Sequence, residues 1–276
     1  MAKNQALRNS AIFNDYYTRL KNIAVSVFEW EGLPESCNAR FLENCLFNNG
    51  RAVFVNDPVT SFLTLNVTNE GVLNVYNEPT AYRAFSTGYN EVFHADECVI
   101  IHNNPVDRST ESTIILIAEK LACIDISMTV NINAQKTPLL LRCDDKTKTT
   151  LKAIYAQYDG NEPVIFGHKA LQEKPIEAIQ TGAPFVADKL REEKRAVWNE
   201  ALEFLGLNTN PSDKKKERLI VSEVDSNNEQ TEIQFESMLH ERMRACKEIN
   251  EKFGLNVSVR KRTKEVVNNG DIYNRT

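Results

Sequence analysis

The stretch PFVADKLREEKRAVWNEALEFLG, residues 184–206, sets the architecture because it is the most clearly bounded helix of the chain. Pro184 suits the first helical turn, and Gly206 suits the position just past the end. Apolar residues recur between them at helical spacing: Val186, Leu190, Val197, Ala201, Leu202 and Leu205. The first half is densely charged: Asp188, Lys189, Arg191, Glu192, Glu193, Lys194 and Arg195. Because burying these charges is costly, we expect this half to face water or a neighbouring subunit.

Two helices are predicted at the start of the chain. Residues 9–31 carry apolar side chains at helical spacing, and Gly32 with Pro34 ends the pattern. A shorter helix follows Asn38, whose side chain suits an N-cap, and it stops before Gly50. We interpret both helices as structural elements.

Residues 51–103 have a different sequence pattern, with short β-like runs separated by turns. The runs are 52–54, 62–67, 72–76, 82–85, 92–94 and 98–102. The break at residues 69–71 predicts a hairpin, and the whole stretch predicts a small β-barrel or folded sheet.

A long helix is predicted from a cap at Ser109 or Thr110 to about residue 133. Its apolar face is Ile114, Ile117, Leu121, Ile124 and Met128. Strand-like runs at 139–142 and 163–166, with a short helix at about 151–158 between them, predict a compact α/β insertion.

The last part of the chain pairs a predicted loop with a predicted helix. Residues 207–232 read as a long mobile loop with a basic start: Lys214, Lys215, Lys216 and Arg218. A final helix at 234–253 turns Phe235, Leu239, Met243, Cys246 and Ile249 inward, and Gly254 stops it. A strand at 255–259 and a basic tail through Arg260, Lys261, Arg262 and Lys264 complete the chain.

Composition sets limits on the protein class. With 276 residues, 42% hydrophobic and 26% charged, the chain has the profile of a globular protein with a sizeable core. We expect a cytosolic, unsecreted chain, because no run reaches membrane-spanning length and the N-terminus lacks a signal-peptide core. The six cysteines form no CxxC pair and are expected as thiols. A net charge of -5 argues against sequence-reading DNA binding, but it is compatible with DNA that slides past weak contacts.

No pattern predicts catalysis, a cofactor or a metal. Glycine-rich phosphate loops, HExxH and a nucleophile elbow are lacking in the sequence. His94, Cys98 and His102 have helical spacing but lie in a β-like stretch, so zinc is disfavoured. His168 beside Lys169 is better explained by packing than by acid-base chemistry. Asp144 and Asp145 suggest a two-metal nuclease, although a turn tip explains the pair more simply.

Several collinear segments resemble one family, the upper collar or portal proteins of small short-tailed phages with protein-primed linear DNA. The segments are FEWE at 28–31, LP at 33–34, NAQKTP at 133–138, VIF at 164–166 with His168, DKL at 188–190, AVWNE at 196–200, FLG at 204–206, KKER at 215–218 and GLNV at 254–257. Together they cover about residues 12 to 260. No single segment is specific, but their order and spacing are.

The resemblance implies an α+β portal fold in a ring oligomer, with long stem helices around a channel. In this fold residues 1–50 supply wing and stem helices, 51–105 a small SH3-like wing, and 106–134 a stem helix. The later parts are a clip at 135–172, a stem and channel helix at 173–206, a channel loop at 207–232, and a helical crown with the terminal strand at 233–276.

The resemblance also implies a function and partners. It implies a dodecameric ring, in the virion at the portal vertex and in the host cytoplasm during assembly, that passes viral double-stranded DNA during packaging, retention and ejection. Capsid and scaffold proteins, a packaging ATPase and a lower collar or tail protein are the implied partners, and no membrane is involved. The implied DNA-channel contacts are Lys189, Lys214, Lys215, Lys216 and Arg218. A second channel lysine of the family is replaced by Gln180, and the basic N-terminal arm shrinks to Lys3 and Arg8, which argues against binding a packaging RNA.

Two alternatives come from other functional classes. One is a nucleic-acid-processing enzyme that uses Asp144 and Asp145 with a metal. The other is a monomeric DNA-binding adaptor that uses the basic tail, which predicts salt-sensitive binding to free duplex without a ring.

Overall fold

The computed structural model describes the backbone of residues 2–135, 139–143, 164–168, 176–178, 184–207 and 221–262, and side chains within 9–135, 184–207 and 235–262. The architecture is mixed helix and sheet, which confirms the α+β class. Two compact units are present. One contains Phe13–Glu119 and Trp198–Thr276, and the other contains Met1–Ile12 and Lys120–Val197. No helix in the described part of the chain combines the length and apolar character needed to cross a membrane.

Helix α1, Ala2–Ala24, starts and ends earlier than predicted. The chain then forms strand β1, Phe28–Glu31, which pairs antiparallel with a strand from the far end of the sequence. The predicted helix to residue 31 is therefore wrong over its last turns. Val27 and Trp30 continue the helical spacing, but pairing with the distant strand decides the conformation of this segment.

Helix α2, Ala39–Asn49, confirms its predicted caps. The Asn38 side chain accepts a hydrogen bond from the Phe41 amide at 3.0 Å. Gly50 closes the helix with φ 81°, and its amide donates to the Leu46 carbonyl. A Cβ at Gly50 would lie 2.2 Å from the Asp107 carbonyl oxygen, so packing as well as conformation requires glycine.

The β-rich stretch forms one five-stranded antiparallel sheet in the order β5-β4-β3-β2-β6. The strands are β2 Arg51–Asp57, β3 Ser61–Leu73, β4 Pro79–Ser86, β5 Tyr89–His94 and β6 Cys98–His102. Successive residues of β2 face opposite sides. Val53 and Val55 pack among sheet residues, whereas Ala52 and Phe54 join the main core with α2, β1 and the last helix.

The predicted hairpin at residues 69–71 is wrong, as is most of the strand at 72–76. Strand β3 continues through Gly71, whose φ of 74° accompanies a shift of register against β4, so this glycine marks a bulge. The turn lies further on, where the Asn74 side chain accepts hydrogen bonds from the Tyr76 and Glu78 amides. The hairpin exposes four large apolar side chains at its tip: Val72, Leu73, Val75 and Tyr76.

Helix α3, Glu111–Gln135, begins as predicted. The Thr110 carbonyl accepts from the Ile114 amide, and Ser109 Oγ accepts from the Glu111 amide. The first three residues of the predicted apolar face are buried: Ile114, Ile117 and Leu121. The opposite face exposes Leu116, Cys123 and Val130, spaced seven residues apart.

The insertion contains three described strands, β7 Leu139–Cys143, β8 Val164–His168 and β9 Ile176–Ala178. Strand β7 lies between the others, parallel to β8 and antiparallel to β9. The two predicted strands are confirmed, and β9 was not predicted because three residues give no usable period. The predicted helix at 151–158 and the pair Asp144 and Asp145 lie outside the described residues.

Helix α4, Ala187–Phe204, matches the opening prediction closely. Helix α5, Val221–Phe253, begins well before residue 234, so the predicted loop is wrong over residues 221–232. That segment contains no proline or glycine, and extending a helix that is already nucleated costs far less than starting one. Strand β10, Ser258–Lys261, includes two residues that were assigned to a basic tail, Arg260 and Lys261.

Candidate nucleic-acid interface

The start of α4 is fixed to α3 by polar contacts. The Asn131 side chain donates to the Pro184 carbonyl at 2.8 Å and accepts from the Val186 amide at 2.9 Å. Further along the helix, Lys194 donates to both carboxylate oxygens of Asp125, at 2.7 and 3.0 Å. These contacts bracket the charged first half of α4, so its orientation relative to α3 is defined.

The predicted exposure of that charged half is confirmed except at Lys194, which is half-buried. Ala187 and Val197 are buried on one side, and Lys189, Glu192, Glu193 and Arg195 are exposed on the other. Arg191 and Asp188 form a weak surface pair at 3.4 Å with both side chains mostly in solvent. A pair of this kind contributes little to stability, so the charges of this face are free to serve contacts outside the chain.

Lys189 and Lys194 differ in what they contact. Lys194 is half-buried and bound to Asp125. Lys189 is exposed, and within the described ranges no carboxylate lies at ion-pair distance from its amine. An exposed ammonium on a flexible stem can bind phosphate as a point charge without base specificity.

The other predicted contacts, Lys214, Lys215, Lys216 and Arg218, lie outside the described residues, as does Gln180. The structure does describe both flanks of the basic segment. Gly206, at the end of α4, lies directly against Phe235 of α5, and a Cβ at Gly206 would come within 2.3 Å of the Phe235 Cβ. This contact ties the end of α4 to a point fourteen residues into α5.

Sequence reasoning missed the most completely bonded cation of the described chain. Arg242 of α5 has 2% of its surface exposed and uses all its N–H donors. It donates to both Glu43 carboxylate oxygens, to the carbonyl and side-chain oxygens of Asn103, and to the Met238 carbonyl, at 2.9 to 3.2 Å. Glu43 also accepts from the Trp30 indole at 2.8 Å. The network joins α2, β1, α5 and the end of β6.

A signal for this network exists in the sequence. The predicted inward face of α5 included Met243, but Met243 is exposed and Arg242 is buried. The buried positions are Phe235, Met238, Glu241, Arg242, Ala245, Cys246 and Ile249, which keep helical spacing once charged residues are admitted among them. Because the prediction placed no arginine on the buried face of α5, it assigned Met243 to that face in place of Arg242.

The cations of the predicted basic tail are engaged within the chain. Arg260 bridges Glu29 at 3.1 Å and Glu31 at 2.8 Å on the neighbouring strand β1. Lys261 donates to the Gly206 carbonyl at 2.7 Å and lies over the Phe235 ring at 4.4 Å. Two of the four predicted tail cations thus have partners within the chain.

The candidate metal and nucleophile residues are dispersed. His94 ends β5, Cys98 and His102 occupy opposite ends of β6, and His102 pairs with Asp107. Among the described residues no group of three His, Cys, Asp or Glu side chains is placed to hold a metal. Burial raises the pKa of Cys45 and of Cys98 to about 11, so neither thiol is a nucleophile at neutral pH.

The chain matches a family model along nearly its whole length. Residues 1–267 match the family model described as Phage Connector (GP10). Among solved structures, the portal and tail of native bacteriophage P68 is similar, at 15% identity over 96% of this chain and 92% of that chain, with a TM-score of 0.49. An HK97 family phage portal protein from Corynebacterium diphtheriae is similar at 9% identity over 90% and 91%, with a TM-score of 0.46. Both structural likenesses are distant, so the assignment rests on the family match.

Proposed function

Since the chain belongs to the phage connector (GP10) family, a structural family of the portal vertex of the virion, and has a portal or head-tail connector role, we propose that it acts as a closed dodecameric ring around a DNA channel. The proposal has three parts: the ring, the DNA contacts and the partners. Each is supported by a different feature of the chain.

The ring is supported by the exposed apolar face of α3. Leu116 and Val130 are 59% and 56% exposed, and with Cys123 they repeat every seven residues along the helix. A seven-residue repeat of apolar side chains is what helices use to pack against other helices. Head-to-tail contact between two different faces of identical subunits closes into a ring when the rotation divides a full turn.

The DNA contact is supported by Lys189, and this is the observation that carries the proposal. Its amine is exposed on α4, whereas Lys194 five residues later is held by Asp125. One exposed lysine gives a weak field, but repetition around an axis gives a belt of positive charge. Because the chain is acidic overall, at -5, DNA meets placed cations on an acidic wall and can slide.

The segments keep the roles that the family resemblance implies. We assign α3 and α4 to the stem, the β7-β8-β9 insertion to the clip that meets a packaging ATPase and later the tail protein, and the five-stranded sheet to the wing that meets capsid and scaffold proteins. Residues 207–232 with their lysines form the channel-facing segment. Assembly takes place in the host cytoplasm before the ring enters the virion.

Two measurements test the proposal. Purified protein should form rings with a central hole in negative-stain images, and native mass spectrometry should give twelve subunits. A strictly monomeric particle at micromolar concentration would contradict the proposed ring. A Lys189→Gln ring should assemble normally but retain packaged DNA less well, with Lys247→Gln, an exposed lysine of α5 outside the stem, as the control. Equal retention of packaged DNA in wild type and K189Q would contradict the proposed contact of Lys189 with DNA in the channel.

A further inference from the structure

The hairpin that joins β3 to β4 presents apolar side chains to solvent. Four of its residues are 73, 58, 89 and 80% exposed: Val72, Leu73, Val75 and Tyr76. Within the described part of the chain, neither hydrophobic cluster that packs against the sheet includes any of them. A contiguous exposed apolar patch of this kind is typical of a protein interaction site.

Polar bonds fix the shape of this hairpin tip without help from the apolar side chains. The Asn74 side-chain oxygen accepts from the Tyr76 and Glu78 amides at 2.8 and 2.9 Å, and its NH₂ group donates to the Glu78 carboxylate at 2.8 Å. At the base of the tip, the Thr80 hydroxyl accepts from the Val72 amide at 3.2 Å. Because the backbone is bonded in this way, the tip loses little conformational entropy when a partner binds.

The strands around the tip are acidic. Residues 61–97 contain five carboxylates, one arginine and no lysine, which gives a formal net charge of -4 out of -5 for the whole chain. The arginine, Arg83, is paired with Glu70 at 3.0 Å. The Ala95 amide donates to the Thr80 carbonyl at 3.1 Å, so the acidic turn at residues 96–97 lies beside the base of the hairpin.

These features together define the chemistry of the partner. The apolar tip fits a pocket, and the acidic surround fits lysines and arginines at the border of that pocket. The same negative charge repels phosphate, so a protein is favoured over a nucleic acid. Another copy of this chain is less suited, because the exposed apolar stripe of α3 has charges of both signs beside it, Glu119 and Lys120.

We propose that the hairpin tip, residues 72–76, is a docking element for a protein whose binding site is an apolar pocket bordered by lysines and arginines. The partner is the capsid shell. This inference rests on the proposed role of the five-stranded sheet as the wing that meets capsid proteins. It adds to that role the residues that make the contact and the chemistry of the surface that receives them.

Shells assembled in vitro from the phage's purified capsid and scaffold proteins, with rings of this chain added, test the inference. The double variant Val75→Asn with Tyr76→Asn removes apolar surface from the tip but keeps Asn74 and its bonds. Val59→Asn is the matched control, because Val59 is 91% exposed and precedes β3, whereas Val75 is 89% exposed and follows β3. We expect the fraction of shells that contain a ring to fall about tenfold in V75N/Y76N and to stay unchanged in V59N.

The outcomes separate the inference from the function on which it rests. Wild-type rings that are absent from the shells contradict the proposed contact between wing and shell, and the inference falls with it. V75N/Y76N rings that enter shells as often as wild-type rings overturn the inference alone. Ring number and thermal midpoint are measured for each variant, and both should equal the wild-type values because the substituted side chains lie in solvent.

Hydroxyl-radical oxidation of Tyr76 identifies the occupant of the tip without any substitution. We expect fast oxidation of Tyr76 in isolated wild-type rings and several-fold slower oxidation in rings within shells. Equal protection in isolated rings would assign the tip to a second copy of this chain and overturn the proposal. Fast oxidation in both samples would show that nothing covers the tip, which also overturns it.

The basic border of the pocket has a separate test. Glu91→Gln with Asp96→Asn removes two exposed carboxylates from the strands around the tip. We expect the rate of ring incorporation to fall about threefold at low salt and to match wild type at high salt, where such charges are screened. A rate that is unchanged at low salt would overturn the proposed basic border.

Discussion

Arginine and lysine serve opposite purposes in two regions of this chain. Around α5, Arg242 is buried and bonded through every donor, and Lys261 is held between a carbonyl and a ring. On α4, Lys189 and Arg195 are exposed, and Arg191 makes only a surface pair. The buried cations fix which segments meet. The exposed cations contribute little to that and are available to a partner.

Under the proposed function, the contrast explains how an acidic chain handles DNA. Charges used for folding are neutralised by Glu43, Glu29 or Glu31 within the chain and contribute little outside field. In the proposed ring, only cations left in solvent act on DNA, and repetition around the axis multiplies them. Net charge is therefore a poor guide to this function, and the placement of a few cations is a better one.

The largest expected effect comes from breaking the buried network. Arg242→Met should destabilise the fold by about 3–5 kcal/mol, because it leaves the Glu43 carboxylate buried without a partner. Denaturant unfolding at a fixed protein concentration measures this destabilisation. The double variant Arg242→Met with Glu43→Leu should recover most of the stability, since both charges are then gone. A destabilisation below about 1 kcal/mol for R242M would mean that the network is not what holds the core.

A second test addresses the contact between the end of α4 and Phe235 of α5. Gly206→Ala should cost about 2–3 kcal/mol, because φ is 71° and the new Cβ would meet Phe235. Gly254→Ala is a matched control at the end of α5, with φ 66° and nothing within 4 Å of a Cβ. It should cost only about 1–2 kcal/mol, the conformational part. Equal destabilisation of both variants would show that the contact with Phe235 does not restrain Gly206.

Local sequence signals predicted those elements that their own residues determine. Asn38 and Gly50 bound α2, and the spacing in 184–206 predicted α4 and its exposed charges. Elements set by distant partners were missed. Strand β1 exists because β10 pairs with it, and Gly71 is a bulge because β4 continues alongside. Arg242 is buried only because Glu43 and Asn103 surround it. The spacing of the sequence places Arg242 on the buried face of α5, but a one-dimensional pattern does not name the partners that surround it.

The exposed region predicts a smaller effect on stability but a clear one on DNA. Lys189→Gln should change stability by less than about 0.5 kcal/mol, as for other surface sites. In the ring it should lower the salt dependence of duplex binding, by up to about 0.9 in log-log slope for each phosphate that is no longer neutralised. Lys194→Gln is the matched control, because it breaks the pair with Asp125 and should cost about 1 kcal/mol without changing that slope. The opposite pattern would reverse the roles assigned to the two lysines.

The smallest effect concerns a carboxylate satisfied without any cation. The Thr60 amide, the Tyr89 hydroxyl and the Val59 amide donate to Asp57 and hold its pKa at about 2. Because this folded-state pKa lies below the unfolded value of 3.8, the stabilisation is present above about pH 4 and is lost as pH falls toward 2. Tyr89→Phe removes one donor, so it should raise the acid-unfolding midpoint, on the order of half a pH unit. Tyr76→Phe, at an exposed hairpin tip, is the control and should leave the midpoint unchanged. A midpoint that Y89F does not move would show that the Thr60 and Val59 donors alone stabilise the Asp57 carboxylate, which would sharpen the contrast with Glu43 and its dependence on Arg242.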